Sequence, residues 1–122
     1  MKTKMVHVDA LTGPALDWAV GKAAGLSMVC YWGKAIAYKD YKMSAYRPST
    51  DWADGGPLLE ANPSALPYRS HARKHLGRFE AQTPGGFQHN GDTILVAFCR
   101  TLVAEKLGCD VAVPVELLEG QS

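Results

Sequence analysis

The fold is decided by residues 11–25, LTGPALDWAVGKAAG. Thr12 is suited to cap a helix, and Pro14 falls in the first turn, where a missing backbone N–H does no harm. Apolar residues then recur with helical spacing, and Gly25 is suited to end the helix. We therefore predict a helix near residues 13–24 with one apolar face that packs on a sheet.

A second amphipathic helix is predicted for residues 92–107, with Asp92 as its N-cap and Gly108 just beyond its end. Runs of β-branched and aromatic residues between turn signals predict strands. The predicted strands cover residues 1–10, 26–32, 35–41 and 57–61, a hairpin made of 66–75 and 78–82, and a tail edge strand over 111–115. The pattern predicts an α+β fold: one domain over residues 1–122, with the two helices on one face of a mostly antiparallel sheet.

The segment 46–57, YRPSTDWADGGP, combines two aromatic residues with a cation, carboxylates and hydroxyls in a short length of chain. We expect Ser49 to cap a single helical turn over residues 50–53, which the Gly-Gly-Pro sequence then ends. That turn would hold Asp51 and Trp52 in fixed directions at the surface, as a recognition loop does. The alternative is a structural corner, in which Trp52 fills the core and Asp51 bonds to nearby backbone.

The composition limits the classes of partner. The 122 residues suit one domain, and a net charge of +1 leaves no overall field that would recruit duplex DNA or an anionic membrane. The longest apolar run is far too short to span a bilayer. The three cysteines cannot all pair with one another, so they are typical of reduced thiols in a cytoplasm.

Two side-chain patterns bear on chemistry. His71 and His75 have the i, i+4 spacing of a metal site on a helix, but a basic solvated hairpin explains them better. Asp51 and Asp54 have the spacing of an acid/base pair, but a helix cap beside a solvated carboxylate explains them better. No nucleophile elbow, phosphate loop, dinucleotide fingerprint or zinc-protease motif occurs in the sequence. The sequence therefore disfavours an enzyme and predicts no catalytic residue, cofactor or metal.

A basic segment lies between residues 69 and 78. Its cations and histidines are Arg69, His71, Arg73, Lys74, His75 and Arg78. Tyr68 and Phe79 flank them, and cations beside aromatic rings suit single-stranded nucleic acid. The small net charge argues against duplex DNA as the main partner.

Three stretches carry a family resemblance: residues 11–20, LTGPALDWAV; residues 46–57; and residues 97–108 together with Val113-Pro114. In this order they resemble the NinX-like family of small phage proteins, whereas residues 61–90 depart from the family's pattern. The resemblance implies a phage or prophage accessory protein that acts in the cytoplasm of a host bacterium, and it implies no reaction. The Pro-Ser…Asp-Trp arrangement is also similar to motifs in small phage proteins that sequester nucleotide immune signals.

These observations lead to the hypothesis of a non-enzymatic binding protein that captures a small nucleotide-like ligand, such as a host immune signal. An aromatic face stacks a base, an arginine holds phosphate, and a carboxylate accepts from ribose hydroxyls. The candidate ligand-binding residues are Trp18, Tyr46, Arg47, Ser49, Thr50, Asp51, Trp52 and Arg100. Two alternatives stay open: an inhibitor that binds a host enzyme through the same aromatic loop, and a nucleic-acid accessory factor. The sequence also leaves homo-oligomerisation open.

Overall fold

The computed structural model describes residues 2–118. Met1, where the first predicted strand begins, and residues 119–122 of the predicted domain lie outside this range. The helices of the described part are α1 (Gly13–Ala23), α2 (Trp52–Ala61), α3 (Ile94–Leu107) and α4 (Val115–Leu118). Its strands are β1 (Thr3–His7), β2 (Ser27–Tyr31), β3 (Lys34–Lys39), β4 (Lys42–Ala45), β5 (Tyr68–Arg69), β6 (Phe79–Gln82), β7 (Gln88–Gly91) and β8 (Asp110–Pro114).

The strands form three separate antiparallel sheets. β1 pairs with β8, β2–β3–β4 form one meander, and β5–β6–β7 form another. α1 packs against β2 and β3, α3 packs against β6 and β7, and the two helices contact each other. The α+β class with antiparallel strands is confirmed, but the strands do not join into one sheet with both helices on a single face. Each meander closes locally through its own turns and α2 separates the two along the chain, so each helix covers its own sheet.

The apolar faces of α1 and α3 supply most of the core. Leu16 and Val20 of α1 are fully buried, as are Phe98 and Val103 of α3. Burying an apolar side chain of this size contributes about 1.5–3 kcal/mol relative to leaving it exposed. The two helices predicted from apolar spacing are therefore confirmed, and their mutual packing fixes the positions of the loops around them.

Helix α2 runs through the Gly-Gly-Pro sequence at which the sequence predicts an end. The strand predicted for residues 57–61 is wrong, because these residues are the second half of α2. Asp51, not Ser49, is the N-cap, since its Oδ1 accepts a backbone N–H of the first turn at 2.9 Å. Packing overrides the weak helix propensity of Gly55: a Cβ there would lie 2.5 Å from the carbonyl oxygen of Pro48, so only glycine allows this close approach.

Two other element ends differ from the prediction. Thr93, not Asp92, caps α3, because the Thr93 hydroxyl accepts from the N–H of Val96 at 3.1 Å. The tail strand β8 ends at Pro114, and Val115 already belongs to α4. β8 pairs with β1 alone, which confirms the predicted edge strand.

The predicted hairpin is reduced to a short β5–β6 ladder. Residues 70–78 between the two strands form a loop with a 3-10 helix at Lys74–Leu76. Gly77 in this loop has a φ of 148° and its backbone approaches that of Gly91, a contact that a strand bearing a side chain would not permit. Strands β4 and β7, which the sequence does not predict, complete the two meanders. No disulfide joins the three cysteines, all of which lie in the described range.

Candidate functional site

A cavity of about 390 Å³ lies where the start of α1, strand β3 and the segment after β4 meet. Its polar and aromatic lining comes from Asp17, Lys34, Tyr46, Arg47 and Thr50, with Pro14 and two alanines beside them. We name it the Asp17 cavity. Its volume falls in the range of small-molecule sites in proteins, about 300–1,000 Å³.

The segment that walls this cavity is fixed by its own hydrogen bonds. The Arg47 carbonyl accepts from the N–H groups of Thr50 and Asp51, at 3.2 and 2.8 Å. The Asp54 carboxylate reaches back and accepts the N–H of Arg47 at 2.9 Å, while Asp51 caps α2. Both carboxylates therefore hold backbone N–H groups, which favours the capping interpretation over an acid/base pair.

Asp17 is the buried polar group of the cavity. It lies on α1 with 3% of its surface exposed, and its Oδ1 accepts the backbone N–H of Ser49 at 2.8 Å. Burial raises the pKa of Asp17 from 3.8 to about 6, and the Asp54 carboxylate adds to the rise. Ser49 and the Arg47 charge act in the opposite direction. The Ser49 hydroxyl takes part in this effect, although it meets no partner with regular hydrogen-bond geometry within residues 2–118.

The other lining groups combine positive charge with an aromatic ring. Lys34 and Arg47 bring two cations to the cavity, and the Arg47 guanidinium lies 3.8 Å from the Asp51 carboxylate. Tyr46 is half-buried; burial, followed by the carboxylate of Asp54, raises the pKa of its phenol to about 12. Tyr46 is therefore a neutral hydrogen-bonding group at neutral pH. The cavity thus offers donors for an anion and a buried acceptor for a neutral donor.

The structure places the remaining predicted residues differently. Trp18 is 7% exposed and packs in the core with the Lys22 ammonium 5.5 Å from its ring, so it has no open face on which a base could stack. Ser49 is buried and contributes its backbone N–H to Asp17. Trp52 is 56% exposed at the start of α2, which removes the alternative that it fills the core.

Arg100 does not line the Asp17 cavity. Its Nε donates to the Leu11 carbonyl at 3.1 Å and its Nη1 to the Asn90 carbonyl at 2.8 Å. These bonds hold Arg100 against β7, where it lines a different cavity from Arg47. The packing of α3 on the β5–β7 meander, which the sequence does not specify, decides this placement.

Asp17 is the functional candidate that sequence reasoning missed. The structure brings it together with the predicted residues Tyr46, Arg47 and Thr50. The sequence feature that could have identified it is the position of this carboxylate between Leu16 and Trp18, inside the stretch that predicts an amphipathic helix. An aspartate in such a place is almost never fully buried without a partner or a function.

No helix within residues 2–118 is long and apolar enough to span a membrane. The described residues also contain no group of three or more His, Cys, Asp or Glu side chains placed to hold a metal ion.

The described part of the chain is a small α+β protein with a polar cavity at the start of α1. A family model described as "Bacteriophage P22, NinX" matches residues 7–106. The chain belongs to this NinX family of phage proteins, which confirms the resemblance of its sequence. Among curated proteins no match to the chain was found.

Proposed function

We propose that this protein is a non-enzymatic phage accessory protein that captures a small nucleotide-like ligand in the Asp17 cavity. The observation that supports it is a buried carboxyl beside two cations in one cavity of suitable volume. A charged group in this position is unfavourable for folding, and groups of that kind concentrate at functional sites.

The carboxyl of Asp17 has room for further hydrogen bonds. An ionised carboxylate offers about four lone-pair sites, and Ser49 occupies only part of this capacity. Ribose hydroxyls or the N–H groups of a base supply donors of the right kind. Such donors favour the charged form, so a bound nucleoside would offset the desolvation that raises the pKa of Asp17.

The cations of the cavity suit the phosphate part of the same ligand. Arg47 is 63% exposed, and within residues 2–118 its guanidinium has only a long contact to Asp51, so it is able to turn toward an anion. Guanidinium groups bind phosphate through two parallel hydrogen bonds, and Lys34 adds a second charge. The half-buried ring of Tyr46 supplies an apolar surface beside them. A host nucleotide immune signal combines these features and would be met in the cytoplasm of an infected bacterium.

The test is mass spectrometry of small molecules released by heat from protein purified out of a host with an active nucleotide-based defence. We expect an intact nucleotide from the parent protein and little of it from the double variant Asp17→Asn, Arg47→Gln. A matched control, Glu60→Gln, changes an exposed carboxyl on α2 and should retain the ligand. Equal release from all three proteins would contradict the proposed site, and recovery of a cleaved product with turnover would contradict a non-enzymatic role.

A second candidate function is inhibition of a host enzyme by direct binding. Its support is Trp52, which is exposed at the start of α2 and does not line the Asp17 cavity. Exposed tryptophans are frequent anchors in protein interfaces. Under this alternative Trp52→Ala abolishes capture of the host enzyme and leaves nucleotide binding unchanged. The nucleic-acid alternative has its own support in an open cavity lined by Arg69, Lys74 and Arg78.

A further inference from the structure

A second cavity, of about 340 Å³, shares no lining residue with the Asp17 cavity. Its charged and imidazole side chains are Asp9, Arg73, His75, His89 and Arg100. We name it the His89 cavity. It is lined by two residues of the basic segment, Arg73 and His75, and by Arg100, which does not line the Asp17 cavity.

The imidazole of His89 is held in one orientation. Its Nδ1 lies 2.8 Å from Oδ1 of Asp9, and only 11% of the side chain is exposed. Because an ionised carboxylate only accepts, this contact places a proton on Nδ1 of His89, so that Nε2 is an acceptor in the neutral imidazole and a second donor in the imidazolium. Asp9 is itself tied at its backbone, where its N–H donates to Nδ1 of His7 at 3.2 Å.

The guanidinium of Arg100 has unused donors. Its two hydrogen bonds go to the neutral carbonyl oxygens of Leu11 and Asn90, and its other N–H groups meet no hydrogen-bond acceptor within residues 2–118. Burial lowers the pKa of Arg100, while the carboxylates of Asp9 and Asp92 oppose that change. A half-buried cation whose hydrogen bonds within residues 2–118 go to carbonyl oxygens keeps donors with which it is well placed to bind an anion.

The loop that carries Arg73 is held in place by the buried side chain of Asn90. The Asn90 amide lies within hydrogen-bond distance of the Arg73 carbonyl at 3.1 Å, the Gly77 carbonyl at 3.3 Å and the Ser70 hydroxyl at 3.2 Å. Asn90 also accepts from Arg100 through its carbonyl. One buried residue therefore sets the separation between the loop of Arg73 and the side chain of Arg100.

We propose that the His89 cavity binds a phosphate group, either free or at the end of a polynucleotide. Arg73, His89 and Arg100 line one cavity from a loop, from β7 and from α3, respectively. A tetrahedral phosphate has several acceptor oxygens for the two guanidinium groups, which match its geometry, and a protonated phosphate oxygen can donate to Nε2 of a neutral imidazole. The one carboxylate present, that of Asp9, is already engaged by His89.

The experiment titrates inorganic phosphate into the full chain at constant ionic strength and follows the histidine Cε1–H resonances by NMR. We expect the His89 resonance to shift saturably. Arg73→Gln should weaken binding about tenfold or more, because it removes a charge-assisted hydrogen bond. Its exposed loop is held through the Arg73 backbone and not the side chain, so the fold should persist.

The matched control is Arg69→Gln, which removes the same charge from the same basic segment outside the His89 cavity. It should retain the parent affinity within about twofold, since salt screens an exposed charge that does not touch the ligand. Arg47→Gln tests independence from the Asp17 cavity and should also leave the titration unchanged. An unmoved His89 resonance, or equal losses from Arg73→Gln and Arg69→Gln, would overturn the proposal.

Short single-stranded oligonucleotides with and without a 5′-phosphate identify the source of the phosphate. Tighter binding of the phosphorylated form than of inorganic phosphate would assign the site to a polynucleotide end. Equal affinity would assign it to a free or small phosphate. If the unphosphorylated oligonucleotide binds as tightly as its phosphorylated twin and displaces phosphate, the cavity has no preference for a terminal phosphate group and the proposal fails.

Discussion

Replacing the buried carboxyl of Asp17 by an amide should change how stability depends on pH. Asp17→Asn keeps the shape of the side chain and an oxygen that accepts the Ser49 N–H. It removes the ionisable group whose pKa rises from 3.8 to about 6 on folding. The comparison of parent and variant therefore isolates the cost of holding a charge in this cavity.

The sign follows from the two pKa values. Between about pH 4 and pH 6 the native protein keeps the Asp17 proton while the unfolded chain has lost it, so the free energy of unfolding falls as the pH rises. Each pH unit between 3.8 and about 6 corresponds to about 1.4 kcal/mol, which gives roughly 3 kcal/mol in total. Above that interval the parent protein stays less stable by this amount than it would be with a neutral group.

Urea unfolding of both proteins between about pH 4 and pH 7 measures this effect. We expect the variant to be more stable than the parent at neutral pH, with the difference shrinking toward zero as the pH approaches 4. Glu60→Gln, which changes an exposed carboxyl on α2, is the matched control for the loss of a carboxyl. Parallel curves for Asp17→Asn and the parent would refute the reasoning. They would mean that folding does not raise the pKa of the Asp17 carboxyl.

Substitutions at three places test the local structure. In thermal or urea unfolding, Gly55→Ala should destabilise the protein by about 1–3 kcal/mol because the new Cβ meets a backbone carbonyl. Gly56→Ala should instead stabilise it by about 0.5–1 kcal/mol, because nothing lies within 4 Å of the new Cβ. Trp52→Ala should cost less than about 1 kcal/mol of stability by the same measurement, and a loss of about 3–5 kcal/mol would mean that the ring is buried after all. Thr93→Ala should cost about 0.5–2 kcal/mol through the lost cap of α3, whereas Asp92→Ala should be close to neutral; the reverse order would restore Asp92 as the cap.

The helices were predictable because their signal is local. Apolar spacing, Pro14 and the glycines at the helix ends specify α1 and α3 without reference to the rest of the chain. Helix α2 was not predictable, since Gly55 is favoured there only by its contact with Pro48 and a leucine of α3. A tertiary contact reverses the local preference of Gly-Gly-Pro, and no property of residues 46–57 alone reports that contact.

The candidate site was predictable only in part for the same reason. Tyr46, Arg47 and Thr50 are neighbours in the chain, so their convergence on one cavity follows from a single turn. Asp17 and Arg100 reach their positions through the packing of helices on sheets, and a composition-based grouping cannot assign either of them. The structure places Asp17 in the same cavity as these predicted residues, and it places Arg100 in a different cavity.

The pairing of β1 with β8 has a consequence for synthesis. Val6 lies opposite Val111 in this ladder, and the N–H of Val8 donates to the carbonyl of Cys109 at 2.8 Å. β1 therefore has to wait until β8, which is synthesised later, becomes available. During translation the β2–β4 meander is able to form early, while β1 leaves the ribosome with no partner strand. Until Asp110–Pro114 emerges, its unpaired N–H and C=O groups are an open template for other chains. The pairing of β1 with β8 should therefore be a slow and aggregation-sensitive step in the biogenesis of this small phage protein.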